Sequence, residues 1–419
     1  MAALLFIGFI VLLVLGVPVA FSIALSSVAV MAKGDVPLLM MVQRMFTATD
    51  SFSLIAVPFF IFAGDLMAKG KVSKVLVEFA EAMLGMIKGG LSIVAVLAGM
   101  FFAAISGSGA ATTAAVGATL ISELKKRGYD EARSAALIAA AGTIGVVIPP
   151  SVPMVLYAVI AEESVNTLFK NGFVPGVLMG VILIGISLFE AAKYNYPKGT
   201  AFSLKNVGKT FLKAIWGILM PLIILGGIFS GYFTPSEAAD VAVIYAILVS
   251  IFVYRDMGPK ELYTIMKGSA KTSAVIMIII ACSGPFGWVL ANWKIPEAIA
   301  GSVLGVSSNP YMIMLMIAVI ILIAGVFMET SSAIIILTPV FLPLVKAMNI
   351  SLVHFGIVFV VGIAIGMITP PVAINLFVAS GITGLPIEKI AKSVIPYLLG
   401  LIAVFFLILY VPMLFPGLM

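Results

Sequence analysis

The sequence predicts an all-α polytopic membrane protein built as two inverted-topology repeats, each with a re-entrant helical hairpin and a transmembrane helix broken at Pro-Pro. Three observations carry that prediction. Apolar residues fill 62% of the 419 positions and charged residues only 10%, far outside the range of a soluble globular chain. The basic residues collect in a few inter-helix segments. A Pro-Pro segment recurs, with its surroundings, about half a chain length later.

The elements follow in order. The run from Leu4 to Met31 exceeds a signal-peptide core and lacks a basic leading region, so it reads as a retained first span. Further full spans are predicted near 52–68, 134–161, 173–190, 214–230, 237–254, 274–291, 355–382 and 395–414. The stretches 91–122 and 311–345 are interrupted midway by small or polar residues and read as hairpins that enter and leave on one side. Val72 to Lys88 is amphipathic, and it occupies the place in the first half that Ile295 to Ser308 occupies in the second; both are expected to lie along the interfaces as bracing arms.

Charge sets the orientation. With a cytoplasmic N-terminus and a periplasmic C-terminus, 19 of the 24 basic residues fall in the cytoplasmic segments 69–88, 125–133, 193–213, 255–271 and 389–392. Only Lys33, Arg44, Lys170, Lys294 and Lys346 lie outside. The net charge of +6 therefore reports topology; without aromatic interleaving it does not point to nucleic acid. The one cysteine, Cys282, excludes an intrachain disulfide and a cysteine-rich metal site.

Gly145-Val-Val-Ile-Pro-Pro150 recurs as Gly366-Met-Ile-Thr-Pro-Pro371, 221 positions on, and Ser106-Gly-Ser-Gly-Ala-Ala111 stands at the same distance from Phe327-Met-Glu-Thr-Ser-Ser332. Five predicted spans separate the hairpins, an odd number, so the two halves have opposite orientation, an arrangement characteristic of transporters. In hydrocarbon each backbone N–H and C=O needs a partner, and Pro-Pro removes two donors. Such a break must be buried in protein or line a polar cavity, where freed carbonyls suit a hard cation. Ile148 and Thr369, each preceding proline, should be extended with available carbonyls.

Ser106, Ser108, Thr112 and Thr113 at one tip and Glu329, Thr330, Ser331 and Ser332 at the other supply further oxygens, and the half-helix N-termini there favour an anion. Glu329 at membrane depth reads either as an ion-coupling carboxylate or as a helix cap. Thr234-Pro-Ser-Glu237 has the spacing of a capping box. Asp65 and Asp240 fall near span ends, where hydration explains them, and Asn375 lies one turn past the second break. The small-residue tracts Gly85 to Gly89 and Gly176 to Gly180 read as close helix packing. Rival classes find little: no G-x-x-x-x-G-K-[ST] motif for a pump occurs, and the only histidine, His354, lies far from either tip for a serine protease, which leaves a stand-alone sodium/anion symporter or an ion channel as the alternative.

Gly16-Val-Pro-Val-Ala-Phe21, Ser106-Gly-Ser-Gly109, Val147-Ile-Pro-Pro-Ser151, Gly172-Phe-Val-Pro-Gly176, Thr234-Pro-Ser-Glu-Ala238, Met328-Glu-Thr330 and Ile368-Thr-Pro-Pro371 together resemble the large membrane subunit of TRAP transporters, in the family's order along essentially the whole chain. The resemblance implies a tripartite, ATP-independent inner-membrane system, not an enzyme. In it a periplasmic binding protein delivers an organic acid anion (a C4-dicarboxylate, sialic acid or similar carboxylate) to a small four-helix subunit and this large one. The small subunit is expected as a separate chain. It also implies symport with sodium ions, no organic cofactor, and an elevator-type transport domain moving against a scaffold. On that reading 1–192 is the first repeat, 193–213 a cytoplasmic connector and 214–419 the second repeat. One sodium would bind among Ser106, Ser108, Gly109, Gly145, Ile148 and Pro149, and another among Glu329, Thr330, Ser331, Gly366, Thr369 and Pro370. The substrate carboxylate would sit near Ser108, Thr112, Ser331 and Asn375. Many relatives carry Asp where this chain has Glu329.

Overall fold

A computed structural model describes residues 1–199, 201–306 and 309–415. Its regular structure is helical. Helices α1 (Ala2–Val14), α2 (Val19–Lys33) and α3 (Leu39–Thr49) lead into a 3₁₀ turn at Phe52–Ile55 that continues as α4 (Ala56–Lys69), followed by α5 (Val72–Leu84). α6 (Gly90–Ser106) and α7 (Gly109–Lys126) form the first hairpin, and α8 (Glu131–Thr143) and α9 (Val152–Ala161) the first broken helix. Then come α10 (Val165–Lys193), α11 (Leu204–Phe229), α12 (Pro235–Leu248, prolonged by a π turn at Val249–Val253), α13 (Pro259–Asn292) and α14 (Ile295–Val306). The second hairpin is α15 (Pro310–Phe327) and α16 (Thr330–Ala347), the second broken helix α17 (Leu352–Gly366) and α18 (Ile374–Thr383), and α19 (Ile387–Leu414) closes the order. The arm predicted over 295–308 is seen as far as Val306; its last two residues lie outside the described ones.

Among the described residues eight helical stretches are long and apolar enough to cross a membrane. α15 and α16 are two of them, so length alone does not reveal the hairpin; its tip does, because Thr330 lies against Met367 in the protein interior. Hydrophobic side chains such as Ile7, Val181 and Phe189 are exposed on the outer helices, as a lipid-facing surface requires.

The first predicted span is corrected. Residues 4–31 do not cross as one helix, because Gly16 adopts φ +83° and Pro18 cannot continue the ladder, so α1 ends at Val14. The chain reverses there: a Cβ on Gly8 would touch that of Ser26, nine residues on either side of Val17. Met1 and Gly34 thus stand at the same end of a helix pair of 13 and 15 residues, about 20 Å each at 1.5 Å per residue. The placement of the N-terminus on the cytoplasmic side assumed a single crossing and loses that premise. Two boundaries also shift: α11 starts at Leu204, inside the predicted connector, and α13 starts at Pro259, so Lys271 is on a helix rather than in a loop.

The halves interlock. α9 packs on α16, and α18 packs on α7, so each broken helix meets the other half's hairpin. α12 covers α4, α11 covers α5, and α2 and α3 lie against α13. At one end a buried polar knot ties α8, α10 and α19 together. Glu190 Oε1 accepts from Arg133 Nη1 at 2.9 Å and its Oε2 from the Tyr397 hydroxyl at 2.6 Å, while the guanidinium lies 3.8 Å above the Tyr194 ring. Removing one member leaves a poorly solvated charge or donor. Glu190→Ala is expected to lower stability by about 2–3 kcal/mol and Tyr397→Phe by about 1 kcal/mol, read as the melting temperature in detergent.

Candidate functional site

The two hairpin tips and the two breaks meet in the middle of the protein. Ser108 is the N-cap of α7, its Oγ accepting from Ala111 N at 3.4 Å, and Gly107 before it takes φ +59°. A Cβ on Gly107 would stand 2.8 Å from Pro150 O, so only glycine lets the tip lie on the first break. Both Pro-Pro bonds are cis. Ser151 closes the first break by capping α9 and donating to Val146 O at 2.5 Å. Across the second, Thr369 Oγ1 donates to Ile365 O at 2.9 Å and Asn375 N to Met367 O at 3.0 Å. These bonds supply partners that the interrupted ladder lacks.

The first sodium group converges. Ser106 Oγ and Thr112 Oγ1 are 2.9 Å apart, and the place of a Cβ on Gly145 is 2.5 Å from Thr112 Oγ1 and 2.7 Å from Ser108 O. Gly109 presses on Gly142 O and the Met367 methyl, each 3.0 Å from its Cβ position. Ile148 and Pro149 are buried, Ile148 against Gly176 of α10. Hydroxyl and carbonyl oxygens with no side chain between them fit a hard monovalent cation.

The second group is looser. Glu329 caps α16, accepting from Ser331 N at 2.9 Å and Ser332 N at 3.2 Å, with Ser331 Oγ 3.2 Å away, so the capping role is realised. Thr330 Oγ1 reaches Met367 Sδ at 3.4 Å, whereas Gly366 faces Gly325 of α15 in backbone contact and Pro370 is exposed. Glu329, Thr330 and Ser331 meet the second break through Met367, the residue after Gly366, on the wall of the cavity between the tips.

A cavity of about 510 Å³ opens between the tips, lined by Ser106 to Ala111 and Glu329 to Ser332, with Met367 between them. Of the predicted anion ligands, Ser108 and Ser331 line it. Thr112 and Asn375 are buried behind its wall; Asn375 Nδ2 donates to Ala139 O at 3.1 Å and its Oδ1 has no partner among the described residues. Sequence reasoning missed Lys271 and Thr272 of α13, and Asp65 of α4, whose Oδ2 accepts from Ser269 Oγ at 2.5 Å. The neighbouring Gly64 was the available signal: its Cβ would stand 2.8 Å from Ser106 Cα, which brings α4 onto the tip.

Residues 6–414 match the family described as Tripartite ATP-independent periplasmic transporter, DctM component. The chain belongs to that family. It is a transporter permease, not an enzyme. It is 42% identical over 409 residues to the isethionate TRAP transporter permease protein DctMQ of Oleidesulfovibrio alaskensis, a match covering 96% of the chain and 64% of that relative, so the chain spans less than two thirds of it. It is 43% identical to the C4-dicarboxylate TRAP transporter large permease protein DctM of Pseudomonas aeruginosa, over 88% of the chain and 86% of the relative. The fold is similar to the crystal structure of the Alcanivorax borkumensis YdaH transporter, with a TM-score of 0.65 at 15% identity, covering 90% and 88% of the two chains.

In this DctM-family chain the tight glycine contacts predict a graded response. Gly145→Ala drives a methyl into Thr112 Oγ1 and Ser108 O and is expected to cost about 1–3 kcal/mol. Gly208→Ala, in open space on α11, is expected to be neutral or to gain up to ~1 kcal/mol from helix propensity. Glu329→Ala should lose about 0.5–2 kcal/mol of capping, and Glu329→Asp less. Melting curves in detergent measure all four.

Proposed function

We propose that this chain is the large membrane subunit of a sodium-coupled importer of a small organic acid anion, delivered by a periplasmic binding protein and taken up together with a small four-helix membrane subunit. The observation that carries the reading is the meeting of the first tip with the first break: Ser106 Oγ, Ser108 O and Thr112 Oγ1 gather where only a glycine, Gly145, fits, at the edge of a cavity shared with the second tip. Sodium bound there adds a positive charge at the edge of the cavity and draws an anion toward Ser108 and Ser331; the start of α7 adds its dipole, while the Ser331 and Ser332 N–H groups at the start of α16 are taken by Glu329. Thr112 and Asn375 then act from behind, positioning the tip and α18. The relatives' printed substrates, isethionate and C4-dicarboxylates, support a small carboxylate or sulfonate; sialic acid belongs to the same class of anion.

The recurring segments support two inverted repeats, and the interlocked hairpins and broken helices, with α10 held to them by the Arg133–Glu190 pair, support one body that slides as an elevator against α4, α5 and α11 to α13. The positive-inside rule keeps 69–88, 193–213 and 255–271 cytoplasmic. With the α1/α2 pair reversing, both termini then fall on the periplasmic side.

The test is uptake into proteoliposomes containing this chain and its small subunit, with a panel of labelled organic acids. Uptake is expected only with both an inward sodium gradient and the binding protein. Uptake indifferent to both, or a large single-channel conductance, would overturn the reading in favour of a stand-alone permease or a channel.

A further inference from the structure

A second cavity, of about 530 Å³, is bordered by three of the helices that border the first, α9, α13 and α16. α13 lines the first with residues from Lys271 to Ile279 and the second with residues from Ile280 to Ala291. α9 gives Val152 and Pro153 to one and Leu156 to the other, and α16 gives Ser332 and then Ile335. The spaces are consecutive stations between α13 on one side and α9 with α16 on the other.

Their electrostatics differ. The first holds Asp65, Glu329 and Lys271, whereas the second holds one charged side chain, Arg44 of α3, and no carboxylate. Arg44 forms no ion pair among the described residues, and its guanidinium carbon is 5.9 Å from the centre of the Trp288 ring. Thr47, Ser51 and Ser283 add hydroxyls to the same wall. The Arg44 backbone is fixed, because α3 packs on α13 where its carbonyl meets Gly284, while the residue itself is exposed. An uncompensated guanidinium among hydroxyls, in a space otherwise walled by apolar side chains, accepts one anionic head group.

We infer that the Arg44 cavity is a binding station for the carboxylate or sulfonate of the transported acid, on the membrane face opposite the basic loops, filled before the acid reaches the hairpin tips. This rests on the function proposed above. The head group of an anionic lipid has the same chemistry, and the experiment separates the two.

Ser283 lines the cavity and serves as the reporter, with Cys282→Ala removing the native thiol. The Cys282→Ala/Ser283→Cys protein, in phosphatidylcholine vesicles, is treated with an anionic (sulfonatoethyl) or a cationic (trimethylammonioethyl) methanethiosulfonate. The anionic reagent should be favoured by about fivefold or more over its ratio at a free thiol. Arg44→Gln should abolish the preference, Arg44→Lys keep it, and Arg44→Gln with Thr47→Arg restore it, a gain that misfolding cannot produce. Succinate should slow labelling in phosphatidylcholine alone. A ratio unmoved by Arg44→Gln overturns the inference, as does protection that succinate never gives and phosphatidylglycerol does. If succinate protects but sodium- and binding-protein-dependent uptake is absent, the proposed function fails and the anion station stands; intact uptake with an unmoved ratio removes the station alone.

Discussion

Backbone hydrogen bonding in a medium without water is the constraint on which this structure depends. Two transmembrane helices give up their ladders at Pro149-Pro150 and Pro370-Pro371, and an open ladder cannot face hydrocarbon. The first break is therefore covered by a hairpin tip that approaches through Gly107, and stitched internally by Ser151. Because a tip that reaches mid-membrane must also end its own helices there, each hairpin brings a new helix start whose N–H groups need partners, supplied by Ser108 in one case and Glu329 in the other. The polar centre is thus a consequence of the breaks, and the apolar exterior surrounds it.

Glycine is what makes the approach physically possible. Gly64, Gly107, Gly109, Gly142 and Gly145 all sit where a methyl would strike backbone or a hydroxyl, and they lie on four different segments around one tip. The tracts that read as plain packing behave as such: Gly176 and Gly180 press on Ile148 and Met100, which seats α10 behind the first break. Packing and site are coupled there, since the side chain held by Gly176 belongs to the residue that opens the break.

Much of this was legible in the sequence. The paired Pro-Pro segments located both broken helices, the small-residue interruptions located both hairpin tips, and Thr234-Pro-Ser-Glu237 formed the capping box its spacing predicts. What was not legible depended on partners distant in sequence. Residues 4–31 carry no charged side chain, so only the conformation at Gly16 and Pro18 divides them. Asp65 looked like an interfacial residue because its distance from a span end is a linear property, whereas its contact with Ser269 and the cavity is not. Asn375 was found by its position past the break, yet its side chain turns to Ala139, since α18 packs on α7 and α8 rather than opening to the cavity.

The two halves use the same devices unequally. Pro149 and Pro150 are buried and the first tip is clasped on several sides, while Gly366 is spent on contact with Gly325 and Pro370 and Pro371 are exposed. An exposed break cannot border lipid, so the face of the protein carrying Pro370 borders water or another chain. The oxygens of the first half are set by close packing around Gly145, those of the second by the Glu329 cap and the Thr369–Ile365 bond, and one side chain, Met367, touches Thr330 of one tip and lies against Gly109 of the other.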